Sequence, residues 1–99
     1  MSEQLFVYGT LMLPEVQEKV FGRVTTGQPD RLDGYLKSSI TFGDKTYPIA
    51  VQNEKASMEG VVFSLTIDEL ARIDRYEGKE YRRIRVKLVS GGEAWVYCE

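Results

Sequence analysis

The sequence predicts an α+β domain, and three observations carry that prediction. Short apolar stretches of strand character are interrupted by only two helix-like segments. The order reads β, α, several β, α, then a β-hairpin, without regular βαβ alternation. A length of 99 residues fits one unit, residues 1–99, with a single folding domain and no internal repeat or low-complexity tract to divide it.

The first element is Phe6-Val7-Tyr8, which ends at Gly9 and runs into Thr10 and Leu11. Phe6 and Val7 suit a strand buried on both faces, Tyr8 adds a ring with a polar tip, and Gly9 has no Cβ to block a ligand approaching the backbone. Consecutive backbone N–H groups from Gly9 to Leu11 can form a concave nest for a carboxylate. An ordinary strand-ending turn reads the same way from local chemistry.

Leu13 to Gly22 carries proline early, acids in the first turn and glycine just beyond the end, which is the punctuation of a short helix. Val16, Val20 and Phe21 form its contact edge. Arg23 to Asp30 reads as a connection, with Arg23 to Thr26 as an alternative short strand. Arg31 to Lys37 is expected to be a strand in which Gly34 marks a bulge or a close backbone approach. Ser38 to Lys45 reads as a loop around a short Ile40-Thr41-Phe42 segment, Thr46 to Val51 as an edge or starting strand because of Pro48, and Gln52 to Glu59 as an exposed turn.

Gly60 to Leu65 is apolar at nearly every position, as a central strand requires. Thr66-Ile67-Asp68-Glu69 then matches a capping box and starts the second helix, with Leu70 and Ile73 on its buried stripe and Gly78 as its C-cap. Glu77 lies four residues after Ile73, so it faces inward if the last turn holds. Desolvation and the negative end of the helix dipole would then raise its pKa into the range useful for proton transfer near neutral pH. If the turn frays, Glu77 swings out and pairs with Arg82 or Arg83.

Tyr81 to Val89 alternates strictly, with Ile84, Val86 and Leu88 opposite Arg83, Arg85 and Lys87, and Ala94 to Cys98 returns as the second arm of a hairpin. The basic stripe is either a solvated face or a phosphate-contacting surface. An acidic net charge of −2 and the lack of interleaved stacking aromatics argue against nucleic acid as a partner.

The chain contains no histidine, which removes histidine-dependent triads and the commonest metal ligand. A carboxylate is the natural base to seek, and no metal is expected. The single cysteine, Cys98, rules out an internal disulfide framework and reads as packed strand filler. The N-terminal residues show no basic segment followed by an apolar core, and no window approaches the roughly 18 apolar residues of a membrane span. A cytoplasmic protein with no membrane partner is the expectation.

Five stretches occur together in this order: FVYGTL, RLDGY at Arg31 to Tyr35, YPIAV at Tyr47 to Val51, EGVVFSL at Glu59 to Leu65, and IDRYEGKEYRR at Ile73 to Arg83. YGTL followed about seventy residues later by (L/I)D-x-(Y/F)-EG-x-x-Y-x-R is the specific part. In these features, over nearly its whole length, the chain resembles the γ-glutamylcyclotransferase-like family, which includes AIG2-like plant proteins and γ-glutamylamine cyclotransferases. That resemblance implies a small mixed β-barrel of five to seven strands with two short helices packed on it. It also implies a cofactor-independent reaction in which the α-amine of a γ-glutamyl substrate attacks its own γ-carbonyl, giving 5-oxoproline and a free amine or amino acid.

By the same resemblance, Tyr8, Gly9, Thr10 and Leu11 hold the γ-glutamyl moiety, and Glu77 takes the α-amine proton and returns one to the leaving nitrogen. Tyr81 and Arg82 either orient Glu77 and line the pocket or start the strand, and Tyr47 is a further supporting candidate. A module that binds a γ-glutamyl or carboxylate metabolite without turning it over is the alternative. A monomer or weak homodimer is expected.

Overall fold

The computed structural model describes residues 2–78 and 81–98. Lys79 and Glu80, within the Ile73 to Arg83 stretch, lie outside the described residues. The elements in chain order are strand β1 (Glu3–Val7), a 3₁₀ turn (Thr10–Met12), helix α1 (Pro14–Phe21), β2 (Gln28–Phe42), β3 (Lys45–Leu65), α2 (Ile67–Glu77), β4 (Arg82–Lys87) and β5 (Glu93–Cys98). Among the described residues no helix is long and apolar enough to cross a membrane.

The five strands form one mixed sheet in the order β2-β3-β1-β5-β4. Strand β1 sits at its centre, antiparallel to β3 and parallel to β5, with Leu5 opposite both Phe63 and Trp95. The sheet curls until its ends meet at one corner, just beyond β4. There the Val89 N–H donates to the Arg31 carbonyl at 2.9 Å and the Ser90 hydroxyl donates to Asp30 at 2.6 Å. The α+β class and the barrel-like sheet with two helices are therefore as the sequence indicates.

Because successive strand residues point to opposite faces, β1 feeds two cores. Phe6 and Tyr8 enter the hollow of the curled sheet with Leu32, Met58, Leu88, Val96 and Cys98. Leu5 and Val7 meet the helices on the other face through Phe21, Phe63, Leu65, Leu70 and Ile73. Phe6 is 1% exposed, so Phe6→Ala is expected to cost about 3–5 kcal/mol through lost transfer energy and the cavity left behind. Urea unfolding monitored by the single tryptophan checks it; a loss under about 1 kcal/mol would show that the hollow collapses around the vacancy.

Both helices begin and end where their capping residues predict. Pro14 opens α1, and Gly22, at φ +83°, closes it with its N–H on the Glu18 carbonyl. In α2 the Thr66 hydroxyl accepts from the Glu69 N–H at 3.1 Å while the Glu69 carboxylate accepts from the Thr66 N–H at 2.9 Å. That carboxylate is also forked by Arg23, at 2.5 and 3.0 Å, which ties the start of α2 to the chain leaving α1.

Two expected loops are strands instead. Ser38 to Lys45 and Gln52 to Glu59 belong mainly to one long β2–β3 hairpin, with Phe42 paired to Lys45 across its tip and Leu32 to Met58 nearer its base. Polar residues form strands here because the backbone ladder supplies the bonds while both ribbon faces are largely wet, so no apolar period develops. Gly34, at φ +89°, marks the bulge where the register shifts between Asp33 and Tyr35. Pro48 is tolerated because β3 there pairs only with β2, leaving a local edge for the residue without an N–H. Arg23 to Thr26 is a connection.

Candidate active site

The cleft of interest opens where β1 leaves the sheet. It holds about 370 Å³ and is lined by Leu5 to Leu11, by Tyr47 and Pro48 from the long hairpin, by Tyr76 and Glu77 at the end of α2, and by Tyr81 and Tyr97. Tyr8, Gly9, Thr10, Leu11, Glu77, Tyr81 and Tyr47 thus meet at one place although they come from segments up to about seventy residues apart. Arg82 does not line it; that residue is exposed on β4, opposite Cys98.

The loop geometry explains the wall made by the first segment. The 3₁₀ turn makes its first bond from the Met12 N–H to the Gly9 carbonyl at 3.0 Å. The N–H groups of Gly9, Thr10 and Leu11 precede that bond, so the turn itself gives them no acceptor. Gly9 is needed for close packing rather than for a left-handed backbone: a Cβ there would stand 2.7 Å from Pro48 Cγ on the opposite wall.

Three of the cleft tyrosines spend their hydroxyls on the protein. Tyr8 donates to the Tyr97 carbonyl at 2.5 Å and accepts from the Ala50 N–H at 3.1 Å. Tyr81 donates to the Pro48 carbonyl at 2.8 Å, and Tyr97 donates to Asp74 at 2.5 Å. Burial pushes the Tyr8 and Tyr97 phenols well above their usual range, so both stay protonated donors. The cleft thus offers a bound molecule tyrosine rings, the Gly9 to Leu11 segment, the hydroxyl-bearing residues Thr10, Tyr47 and Tyr76, and, among the described residues, one carboxylate.

That carboxylate is Glu77. The last turn of α2 holds, closed by the Gly78 N–H on the Asp74 carbonyl at 3.1 Å, so Glu77 stays on the inward side. Burial raises its pKa to about 7. Arg83, one of the partners a frayed turn would have offered it, is instead forked onto Asp74 at 2.9 and 3.0 Å. Beyond this pairing, Arg83 and Arg85 lie over the Trp95 ring at 4.2 and 5.2 Å, so part of the basic stripe serves packing.

Pro48, Tyr76 and Tyr97 complete the lining, and sequence reasoning does not single them out. Pro48 and Tyr76 sit inside the motifs that carry Tyr47 and Glu77. Tyr97 gives no local signal, since its place depends on β5 running parallel beside β1, which only the topology reveals.

Known proteins resemble this chain in both sequence and fold. The Arabidopsis thaliana AIG2-like protein A is 33% identical over 86 residues, covering 86% of this chain and 51% of its own length. AIG2-like protein C from the same plant is 34% identical over 88 residues, covering 86% and 49%. The chain thus spans about half the length of the curated relatives it matches. A solution structure of an Arabidopsis thaliana protein superposes with a TM-score of 0.86 at 28% identity, covering 98% of this chain and 68% of the other. A structure described as a γ-glutamyl cyclotransferase shares the fold, with a TM-score of 0.82 at 20% identity over 99% of this chain and 66% of that one. The family model described as gamma-glutamyl cyclotransferase, AIG2-like, matches residues 5–99, and the chain belongs to that family.

Proposed function

We propose that the protein is a γ-glutamyl cyclotransferase that releases 5-oxoproline, with Glu77 as its general acid and base. The observation that carries this reading is the position of Glu77: a half-buried carboxylate whose pKa desolvation raises to about 7, in a cleft also lined by Gly9, Thr10 and Leu11. A γ-glutamyl substrate already holds its nucleophile beside its electrophile, so the protein has only to fold it, stabilise charge and carry protons from the α-nitrogen to the leaving nitrogen.

The steps balance with that equipment. Glu77 takes a proton from the substrate α-ammonium, whose pKa is roughly 8, so the transfer to a group near 7 is close to thermoneutral. The freed amine attacks the γ-carbonyl, and the backbone amides of Gly9 to Leu11 stabilise the oxyanion of the tetrahedral intermediate. Glu77 gives that proton to the leaving nitrogen as the oxyanion collapses and the carbon–nitrogen bond breaks, then takes the second proton from the new ring nitrogen and passes it to the departing amine, which leaves as an ammonium. The products are 5-oxoproline and a free amine or amino acid.

Incubation with γ-glutamyl amines, γ-glutamyl amino acids and glutathione, read by mass spectrometry for 5-oxoproline, tests the reading. Release from one donor class supports it and names the leaving-group side. Saturable binding of 5-oxoproline with no release from any donor would replace it with a non-catalytic binding module.

A further inference from the structure

Among the described residues, Asp74 is the node that joins α2 to the two strands behind the cleft. Its carboxylate accepts from the Tyr97 hydroxyl on β5 and from two nitrogens of Arg83 on β4. Its carbonyl accepts the Gly78 N–H that closes the helix. Glu77 stands three residues further along α2, which puts the two carboxylates on the same side of the helix about 5–6 Å apart at Cβ. Neither Asp74 nor Arg83 lines the cleft.

We infer that Asp74 is a positioning residue for Glu77: by engaging Arg83 and Tyr97 it pins the last turn of α2 and keeps the guanidinium away from the cleft carboxylate. This rests on the cyclotransferase reading of the site for its catalytic consequence, though not for its geometry. Glu77 stands one helical turn from the carboxylate that Arg83 engages, and were Arg83 to leave Asp74 for Glu77 the ion pair would lower that carboxylate's basicity and occupy the oxygen that must receive the proton. The other titratable side chains that line the cleft with Glu77 are Tyr8 on β1, Tyr47 on β3, Tyr76 on α2, Tyr81 before β4 and Tyr97 on β5, so among the described residues the lining holds no cation and no second carboxylate.

The test is the titration of Glu77 followed by carbon NMR of labelled glutamate carboxyls in the full chain. In Asp74→Asn the Glu77 midpoint is expected to fall by about one pH unit or more. In Arg83→Gln it is expected to rise, because Asp74 is left unneutralised one turn away. The double variant is expected to return near the wild-type midpoint. A merely structural role gives no such opposite pair. In parallel, the acid limb of kcat/KM for 5-oxoproline release should follow each midpoint while KM changes less than about twofold.

Unmoved midpoints in both single variants would overturn the inference. If Asp74→Asn does not fold, Arg83→Gln decides alone, by the same rise or its absence. Midpoints that move in opposite directions in a protein that releases no 5-oxoproline would uphold the device and reject the proposed activity.

Discussion

Glu77→Gln is expected to lower 5-oxoproline release by roughly 10²–10⁴-fold while making the protein more stable at pH 8. The two effects share one cause. Burial raises the carboxyl from 4.5 to about 7. Between those values the folded chain keeps a proton that the unfolded chain has released, so stability falls as pH rises through that interval. A displacement of that size corresponds to about 3 kcal/mol at pH 8, reduced by whatever water in the open cleft screens.

The amide introduced by Glu77→Gln has no proton to lose and keeps the shape. Thermal melts at pH 4.5 and pH 8 should therefore converge in the variant and differ in the wild type. The absence of histidine makes the interval unusually clean, because no imidazole titrates within it. Glu69 and Asp30 act at the other end: held below the usual carboxylate range by Arg23 and by Ser90 respectively, they contribute stability that disappears only as pH falls through their lowered values. Wild-type-like turnover in Glu77→Gln would remove the general-base assignment.

The parts of this molecule legible in the sequence are those whose chemistry is local. A capping box announces α2, Pro14 and Gly22 bracket α1, and the interval from Ile73 to Glu77 sets the face on which the carboxylate lies. The long hairpin is not legible, because Ser38, Ser39, Gln52 and Asn53 show no apolar alternation and a ribbon with two wet faces does not need any. The cleft is half legible. Tyr8 to Leu11 and Glu77 stand in recognisable motifs, but their meeting depends on β1 being central and on β5 lying parallel beside it.

Asp74 and Arg83 are both fixed positions of the motif ending at Arg83, yet Arg82 is the more conspicuous arginine because it directly follows Tyr81. Strand alternation settles the choice in the structure: Arg83 shares the helix-facing side with Trp95 and Asp74, whereas Arg82 falls on the opposite one. A rule that carries the strand period through to the facing helix selects Arg83.

Gly9→Ala is expected to lower kcat/KM at least roughly tenfold, chiefly through KM, and to destabilise the fold by about 1–3 kcal/mol. The added methyl would lie 2.7 Å from Pro48 Cγ, well inside contact distance, so one wall must move. Pro48 cannot retreat alone. Its carbonyl holds the Tyr81 hydroxyl, and Ala50, two residues on, gives its N–H to Tyr8. Displacing the proline thus disturbs the Tyr81 and Tyr8 rings and shifts the Gly9 to Leu11 segment relative to Pro48.

Gly92→Ala is the matched control, since a Cβ there meets only Ser90 Oγ at 3.8 Å and the backbone is not left-handed. It should change neither KM nor the melting temperature. Calorimetric binding of 5-oxoproline separates the two consequences of the Gly9 change. Weaker binding beside an intact melt would locate the damage in the cleft, and an unchanged KM in a folded Gly9→Ala protein would show that the Gly9–Pro48 contact closes the sheet without shaping the substrate site.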